Sequence, residues 1–197
     1  MKTRLISVHP FSPEIDKIIY CAKIIREGGM VIFPTETVYG LGCDFENKKA
    51  LGRLREIKKR SEQKPFSILI DRAARILDLT SYSEPSLYKL IDRFWPGPLT
   101  VIVPDKTGEG QLGLRVPDHA VASRLVAHSG CLLAAPSANI EGHSPPATCQ
   151  EALRDLNGLV DVALDAGACR LGVSSTVVDF TQNSPSVTRE GTITQQD

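Results

Sequence analysis

Apolar positions recur along this chain in two rhythms. Ile15, Ile18, Ile19, Ala22 and Ile25 fall at helical spacing, so the segment from Ser12 to Gly29 reads as a helix. Ser12 is placed to cap it, Pro13 stands at its first position, Glu14 and Asp16 suit its positive end, and Gly28 and Gly29 stop it. Asn47 to Lys59 predicts a second helix with Ala50, Leu51, Leu54 and Ile57 as its buried face. Further helices are predicted over 71–77, 84–94, 118–130 and 148–156. Between them, short apolar runs read as strands: RLISV, GMVIF, VYGLGCD, PFSILI, LTVIVP, LGLRVP, CLLAAPSAN, LVDVALDAG, STVVDF and SVTRE. Strands and helices alternate with no internal repeat, low-complexity stretch or long linker. The pattern predicts one α/β domain over residues 1–197 with a mixed sheet and flanking helices.

Composition narrows the function classes. A chain of 197 residues, 42% hydrophobic and 23% charged, can bury a core without disulfides or metals. No apolar run reaches the roughly 18 residues of a membrane span. The N-terminus, MKTRLISVHPFSPEI, has a basic start but neither an apolar signal core nor a cleavage site, so a cytoplasmic protein is expected. The formal net charge is zero, against a general nucleic-acid coat. The charge is uneven, however. Lys48, Lys49, Arg53, Arg55, Lys58, Lys59, Arg60 and Lys64 are opposed only by Glu56 and Glu62, which suggests either a focused anionic ligand or a solvated helix face. The five cysteines are odd in number and form no CxxC pair, so buried reduced thiols are expected rather than zinc or disulfides.

Four stretches carry unusual chemistry for loops that follow strands: Pro34 to Gly40, Lys58 to Arg60 with Lys64, Pro136 to Asn139, and Gly172 to Thr176. Hydroxyls, amides and glycine-exposed N–H groups are neutral donors that can ring a phosphate or carboxylate, while lysine and arginine supply charge. Neither GxxxxGK[ST] nor GxGxxG is present, so a nucleotide site here is of neither the Walker nor the Rossmann type. Ser137 lacks a GxSxG elbow, and His9, His119, His128 and His143 are scattered, His119 and His128 being expected on a helix surface.

Taken together, PTETVYGLG, the KxR of Lys58 to Arg60, WPGPLT, LRVPDH, the SxN of Ser137 to Asn139, STVVD and TREG resemble the Sua5/YrdC/TsaC family, in order, from about residue 15 to 191. The resemblance is to its short, single-domain form. It implies a twisted α/β sheet with a concave, positively charged pocket and L-threonylcarbamoyladenylate synthase activity. L-threonine, bicarbonate and ATP, with Mg2+ accompanying the nucleotide, would give threonylcarbamoyl-AMP and pyrophosphate. A downstream tRNA threonylcarbamoyl transferase would pass the group to adenosine 37 of tRNAs reading ANN codons, with direct tRNA contact weak and no membrane involved.

Carried over by motif, Thr37, Tyr39, Arg115, Ser175 and the backbone at Ala135 would hold threonine, Arg115 taking its carboxylate. Lys58 and Arg60 would act in catalysis and, with Lys64, Ser137, Asn139, Arg189 and Gln111, would contact ATP. Thr37 and Tyr39 are expected two residues apart on the pocket face of one strand. The chain departs from the family pattern at Ser61, where many relatives have proline. It departs again at Leu69, where longer relatives place a threonine-contacting histidine, and at Pro145, where an ATP-contacting serine is expected. Two other readings stay open: an RNA-binding module using the basic face from Lys48 to Lys64, and a carbamoyl-transfer relative using carbamoyl phosphate.

Overall fold

The computed structural model describes residues 2–59, 65–194 and 196. Strand β1 (Arg4–Ser7) leads into helix α1 (Ile15–Arg26), and β2 (Val31–Phe33) passes through a loop at 34–39 into β3 (Gly40–Asp44). Next come α2 (Lys48–Lys58), β4 (Ser67–Leu69), a 3-10 turn (Ala73–Arg75) running into α3 (Ile76–Leu79), and α4 (Pro85–Phe94). The hairpin β5 (Leu99–Pro104) and β6 (Gln111–Arg115) follows, then α5 (Ala120–Ser129), β7 (Leu133–Ala134) and α6 (Cys149–Leu156). The chain closes with β8 (Val162–Asp165), β9 (Thr176–Asp179) and β10 (Ser186–Arg189). Among the described residues ten strands make one sheet in the order β1-β8-β2-β3-β7-β4-β6-β5-β9-β10. It is mixed: β8 pairs parallel with β1 and β2, β4 with β6, and β5 with β9, while the remaining neighbours are antiparallel.

The central strands β2, β3, β7 and β8 are buried and largely apolar because helices cover both faces, while the edge strands β1 and β10 are mostly exposed. Side chains alternate along a strand. Val31 and Phe33, Leu133, and Val162 and Leu164 join Ile18, Cys21, Ala22 and Ile25 of α1 and Val121, Ala122, Leu125 and Val126 of α5 in one core. Their strand neighbours Ile32, Ala134 and Ala163 point the other way, into a second core with Ala50 and Leu54 of α2 and Ala152 and Leu156 of α6. A third core gathers Leu87 and Ile91 of α4 with Leu99, Val101, Leu114 and Val178. No helix among the described residues is long and apolar enough to cross a membrane.

Local detail departs from the sequence reading where a distant contact intervenes. Helix α1 begins at Ile15 rather than at Pro13. Ser12 is drawn back to His9, its N and Oγ lying 3.1 and 3.0 Å from His9 Nδ1, while Glu14 accepts from His9 N at 3.1 Å. Ile15 and Ile19, expected in the buried stripe, are about half exposed, and Cys21 fills the core position instead. Helix α5 is capped by His119, whose Nδ1 accepts from Val121 N, not by Asp118. Val38 and Tyr39 leave the predicted strand because Tyr39 N bonds to Pro146 O. The run from Cys131 to Asn139 is a strand only at Leu133–Ala134, and the 71–77 helix is reduced to a 3-10 turn and a short α3.

The described part of the basic segment, up to Lys59, does not form one anionic-ligand face. Arg53 pairs with Asp161 at 3.1 Å and donates to Leu159 O, Arg55 lies over the Phe66 ring, and Lys58 turns inward with 2% exposure. Arg60 and Lys64, assigned to ATP by motif, lie outside the described residues.

All five cysteines are free, and Cys131 alone among them is only partly buried. Burial pushes Cys21, Cys43, Cys149 and Cys169 up to about 12 and Cys131 up to about 11. At pH 8 such thiols hold roughly one thiolate in a thousand or fewer. A thiol-disulfide reagent should therefore label the native protein slowly, Cys131 first and faster as pH rises, and label all five in denaturant. Fast native labelling of several thiols would contradict this burial.

Candidate active site

At the middle of the sheet, where β3, β7, β4 and β6 run side by side, the loop at 34–39 and the loop after β7 leave a cavity of about 90 Å3. At roughly 30 Å3 per water this is room for about three waters, the scale of a small molecule rather than a nucleotide. Ser67 and Leu69 line it from alternate positions of β4, while Ile68 between them points into the third core.

The 34–39 loop is held by its own hydroxyls. Thr35 Oγ1 donates to Val38 O at 2.6 Å and accepts from the amides of Thr37 and Val38. Thr35 Oγ1 also lies 2.8 Å from Thr37 Oγ1. Thr37 Oγ1 in turn accepts from Arg115 Nη2 at 2.9 Å. Both threonines are buried yet line the cavity. Tyr39 donates its hydroxyl to Gly167 O at 2.6 Å, and burial pushes its phenol up from the ordinary value, so it remains a neutral donor.

Arg115 ends β6, and the WPGPLT turn is shaped to meet it. Gly97 O accepts from Arg115 Nε at 3.1 Å, and Gly97 N returns a bond to Val116 O. A β-carbon on Gly97 would lie 2.4 Å from Phe94 O, so only glycine permits this turn. Arg115 Nη2 also approaches Glu36 Oε1 at 2.7 Å, in an ion pair with side chains 8% and 1% exposed. Arg115 Nη1 carries no hydrogen bond to the described residues.

On the other side, Ser175 Oγ lies 2.8 Å from Thr100 Oγ1 and accepts from Arg189 Nη2 at 3.0 Å, while Arg189 Nε donates to Ser175 O. Gly191 packs over this turn. A β-carbon there would fall 2.2 Å from Ser174 O and 2.6 Å from the Ser175 carbonyl carbon. Gly191→Ala must displace the Ser174–Ser175 wall. We expect it to destabilise the fold by about 1–3 kcal/mol, as other overpacking changes do, and to weaken ligand binding. A melting curve superposing on that of the parent protein would contradict the contact.

Lys58 explains the SxN motif. Its ammonium donates to Ser137 O at 2.6 Å, to Asn139 O, and to Asn139 Oδ1 at 3.1 Å, and Lys58 O accepts from Glu141 N. Asn139 Nδ2 donates to Ile140 O and His143 O, so its amide serves the loop. The loop is also stitched to β3 by Leu41 N to Pro136 O and to the 34–39 loop by Ala138 N to Tyr39 O.

Of the residues singled out from sequence, Thr37, Tyr39, Arg115, Ala135, Ser137, Ser175 and Arg189 line one cavity, as does Leu69. Thr37 and Tyr39 reach it from a loop, not from one strand face, because Tyr39 is pulled toward Pro146 and Gly167. Lys58 and Asn139 stand behind the wall and hold Ser137 in place. Gln111 is exposed, four residues or roughly 13 Å along β6 from Arg115, and is not brought to the cavity. Pro145 is exposed. Sequence reasoning missed Thr35, Glu36, Ser67, Thr100 and Ser174. Thr35, Glu36 and Thr100 stood inside quoted motifs and Ser174 inside a named stretch, but only the fold shows which of these side chains turn inward.

These features define an α/β protein with an arginine-lined cavity at the middle of its sheet, beside a lysine-braced loop. Residues 23–191 match the Sua5–YciO–YrdC family model, described as "Telomere recombination". The chain belongs to this family. It is 36% identical over 189 residues to threonylcarbamoyl-AMP synthase of Bacillus subtilis, a match covering 91% of this chain and 55% of that protein. The crystal structure of Pyrococcus abyssi Sua5 complexed with L-threonine aligns with a TM-score of 0.90 and 36% identity, over 96% of this chain and 58% of the other. That of E. coli YciO aligns with a TM-score of 0.86 and 25% identity, over 96% of each. The chain thus spans about half the length of the threonylcarbamoyl-AMP synthases of Bacillus subtilis and Pyrococcus abyssi that it matches.

Proposed function

We propose that this chain makes threonylcarbamoyl-AMP and pyrophosphate from L-threonine, bicarbonate and ATP. This is a nucleotidyl transfer that prepares the threonylcarbamoyl group for adenosine 37 of tRNAs reading ANN codons. The reading rests on one observation: Arg115, Thr37 and Ser175 converge on a small cavity in a fold that aligns closely with a threonine complex. The names of the relatives support it.

In this reading Arg115 takes the threonine carboxylate through Nη1, and Ser175 with the Ala135 backbone bounds the rest of the amino acid. The threonine amine adds to carbon dioxide with loss of a proton, or to bicarbonate with loss of water, to give an N-carboxylate. That carboxylate attacks the α-phosphorus of ATP, a P–O bond forms, and the bond to pyrophosphate breaks. Two anions must meet head to head, so fixed positive charge and N–H groups contribute most of the acceleration. Arg189 and the backbone of the Ser137 loop supply these from the described residues. Arg60 and Lys64 are assigned to the phosphates on the motif alone. Lys58 acts through the loop it braces. Magnesium enters with the nucleotide as its counter-ion, and a metal carried on phosphates needs few protein carboxylates.

The test is pyrophosphate release with ATP and bicarbonate and each amino acid in turn. Release that requires L-threonine is expected. Release indifferent to the amino acid, or none, would overturn the reading.

A further inference from the structure

Glu36 is the least accommodated group in the described structure. Its carboxylate is 1% exposed in a loop that lines the cavity. The ion pair with Arg115 is close but off the hydrogen-bonding direction, and neither carboxylate oxygen has a hydrogen-bond partner among the described residues. Buried carboxylates kept for architecture are ordinarily satisfied by several donors. This one is held by charge alone, against a guanidinium whose other partners are Gly97 O and Thr37 Oγ1. An arginine 7% exposed would otherwise be an uncompensated buried cation, free to swing toward any carbonyl.

We propose that Glu36 is a positioning residue: it fixes the Nη2 edge of Arg115 so that Nη1 is presented to the carboxylate of the amino acid, and it thereby sets the amino-acid requirement without touching substrate. The proposal rests on the threonine reading of the cavity. A neutral amide at position 36 keeps the shape but removes the force that orients Arg115. The loss should then fall on the carboxylate end of the site and spare the nucleotide end.

The experiment is pyrophosphate release by the full chain as wild type, Glu36→Gln, Arg115→Met and the double variant, with KM taken separately for threonine and ATP. Glu36→Gln is expected to raise the threonine KM tenfold or more while the ATP KM stays within twofold. Because Glu36 acts through Arg115, the double variant should be no worse than Arg115→Met alone. An unchanged threonine KM in a folded Glu36→Gln protein, an equal loss at both substrates, or effects that multiply in the double variant would overturn the proposal. Where the single amide variant does not fold, Arg115→Met against the double variant gives the same decision: a further rise in threonine KM on removing Glu36 overturns it, and no further rise supports it. A wild type with no threonine-dependent release removes the functional reading itself, and this proposal with it.

Discussion

Lys58→Met is expected to lower both stability and activity, and the joint loss is informative. The ammonium is buried, and its protons go to Ser137 O, Asn139 O and Asn139 Oδ1. Methionine fills similar space but orphans Asn139 O and Asn139 Oδ1, while Ser137 O keeps its bond from Asn139 N. Each orphaned buried group costs about 1–3 kcal/mol, so a total near 2 kcal/mol is a lower expectation after local relaxation. Adenylate formation should fall by about two to three orders of magnitude, as when one transition-state donor is lost, because the Ser137 wall is no longer fixed. A lysine that served only as a phosphate contact would leave stability untouched. Urea denaturation together with the release assay separates the two, and an unchanged denaturation midpoint would sink the bracing role.

The second large effect is at the buried ion pair. Arg115→Met leaves Glu36 as a lone buried carboxylate, and breaking such a pair from one side costs about 3–5 kcal/mol. Adding Glu36→Gln should recover most of that loss, since a neutral pair of similar volume carries no uncompensated charge. Threonine binding should not recover, because Nη1 is gone in both variants. Thermal melts of the two proteins side by side would decide it. If the double variant melts no higher than Arg115→Met, the pair is not the electrostatic unit described here.

Several motifs now have physical reasons. The glycine of WPGPLT exists so that a carbonyl can reach Arg115, and its threonine holds Ser175. The glycine of TREG lets the chain pass over Ser174, and its arginine grips Ser175 from the other side. The hydroxyls of PTET link Arg115 to the Val38 carbonyl. The hydroxyls and bare backbone that follow the buried strand β2 are thus one wall of the pocket and the frame for its cation.

Much of this was legible from sequence. The buried stripe of α2 and the spans of α2, α4 and α6 follow from residue spacing, which is local. Lys58 gave a signal that was passed over. It continues the Ala50–Leu54 stripe at i+4, and a cation in line with core residues must have buried partners. Ile15 and Ile19 misled in the opposite sense, because periodicity fixes a face but not its width.

The sequence by itself determined the alternation of elements, the seven motifs and hence the family, since these depend on residues near one another in the chain. Only the tertiary structure decided what each charged side chain does. Lys58 meets Ser137 across 79 residues, and Arg115 meets Thr37 across 78. Whether a cation faces a ligand, a loop carbonyl or a buried carboxylate is a matter of which distant backbone packs against it. Periodicity and composition contain no term for that.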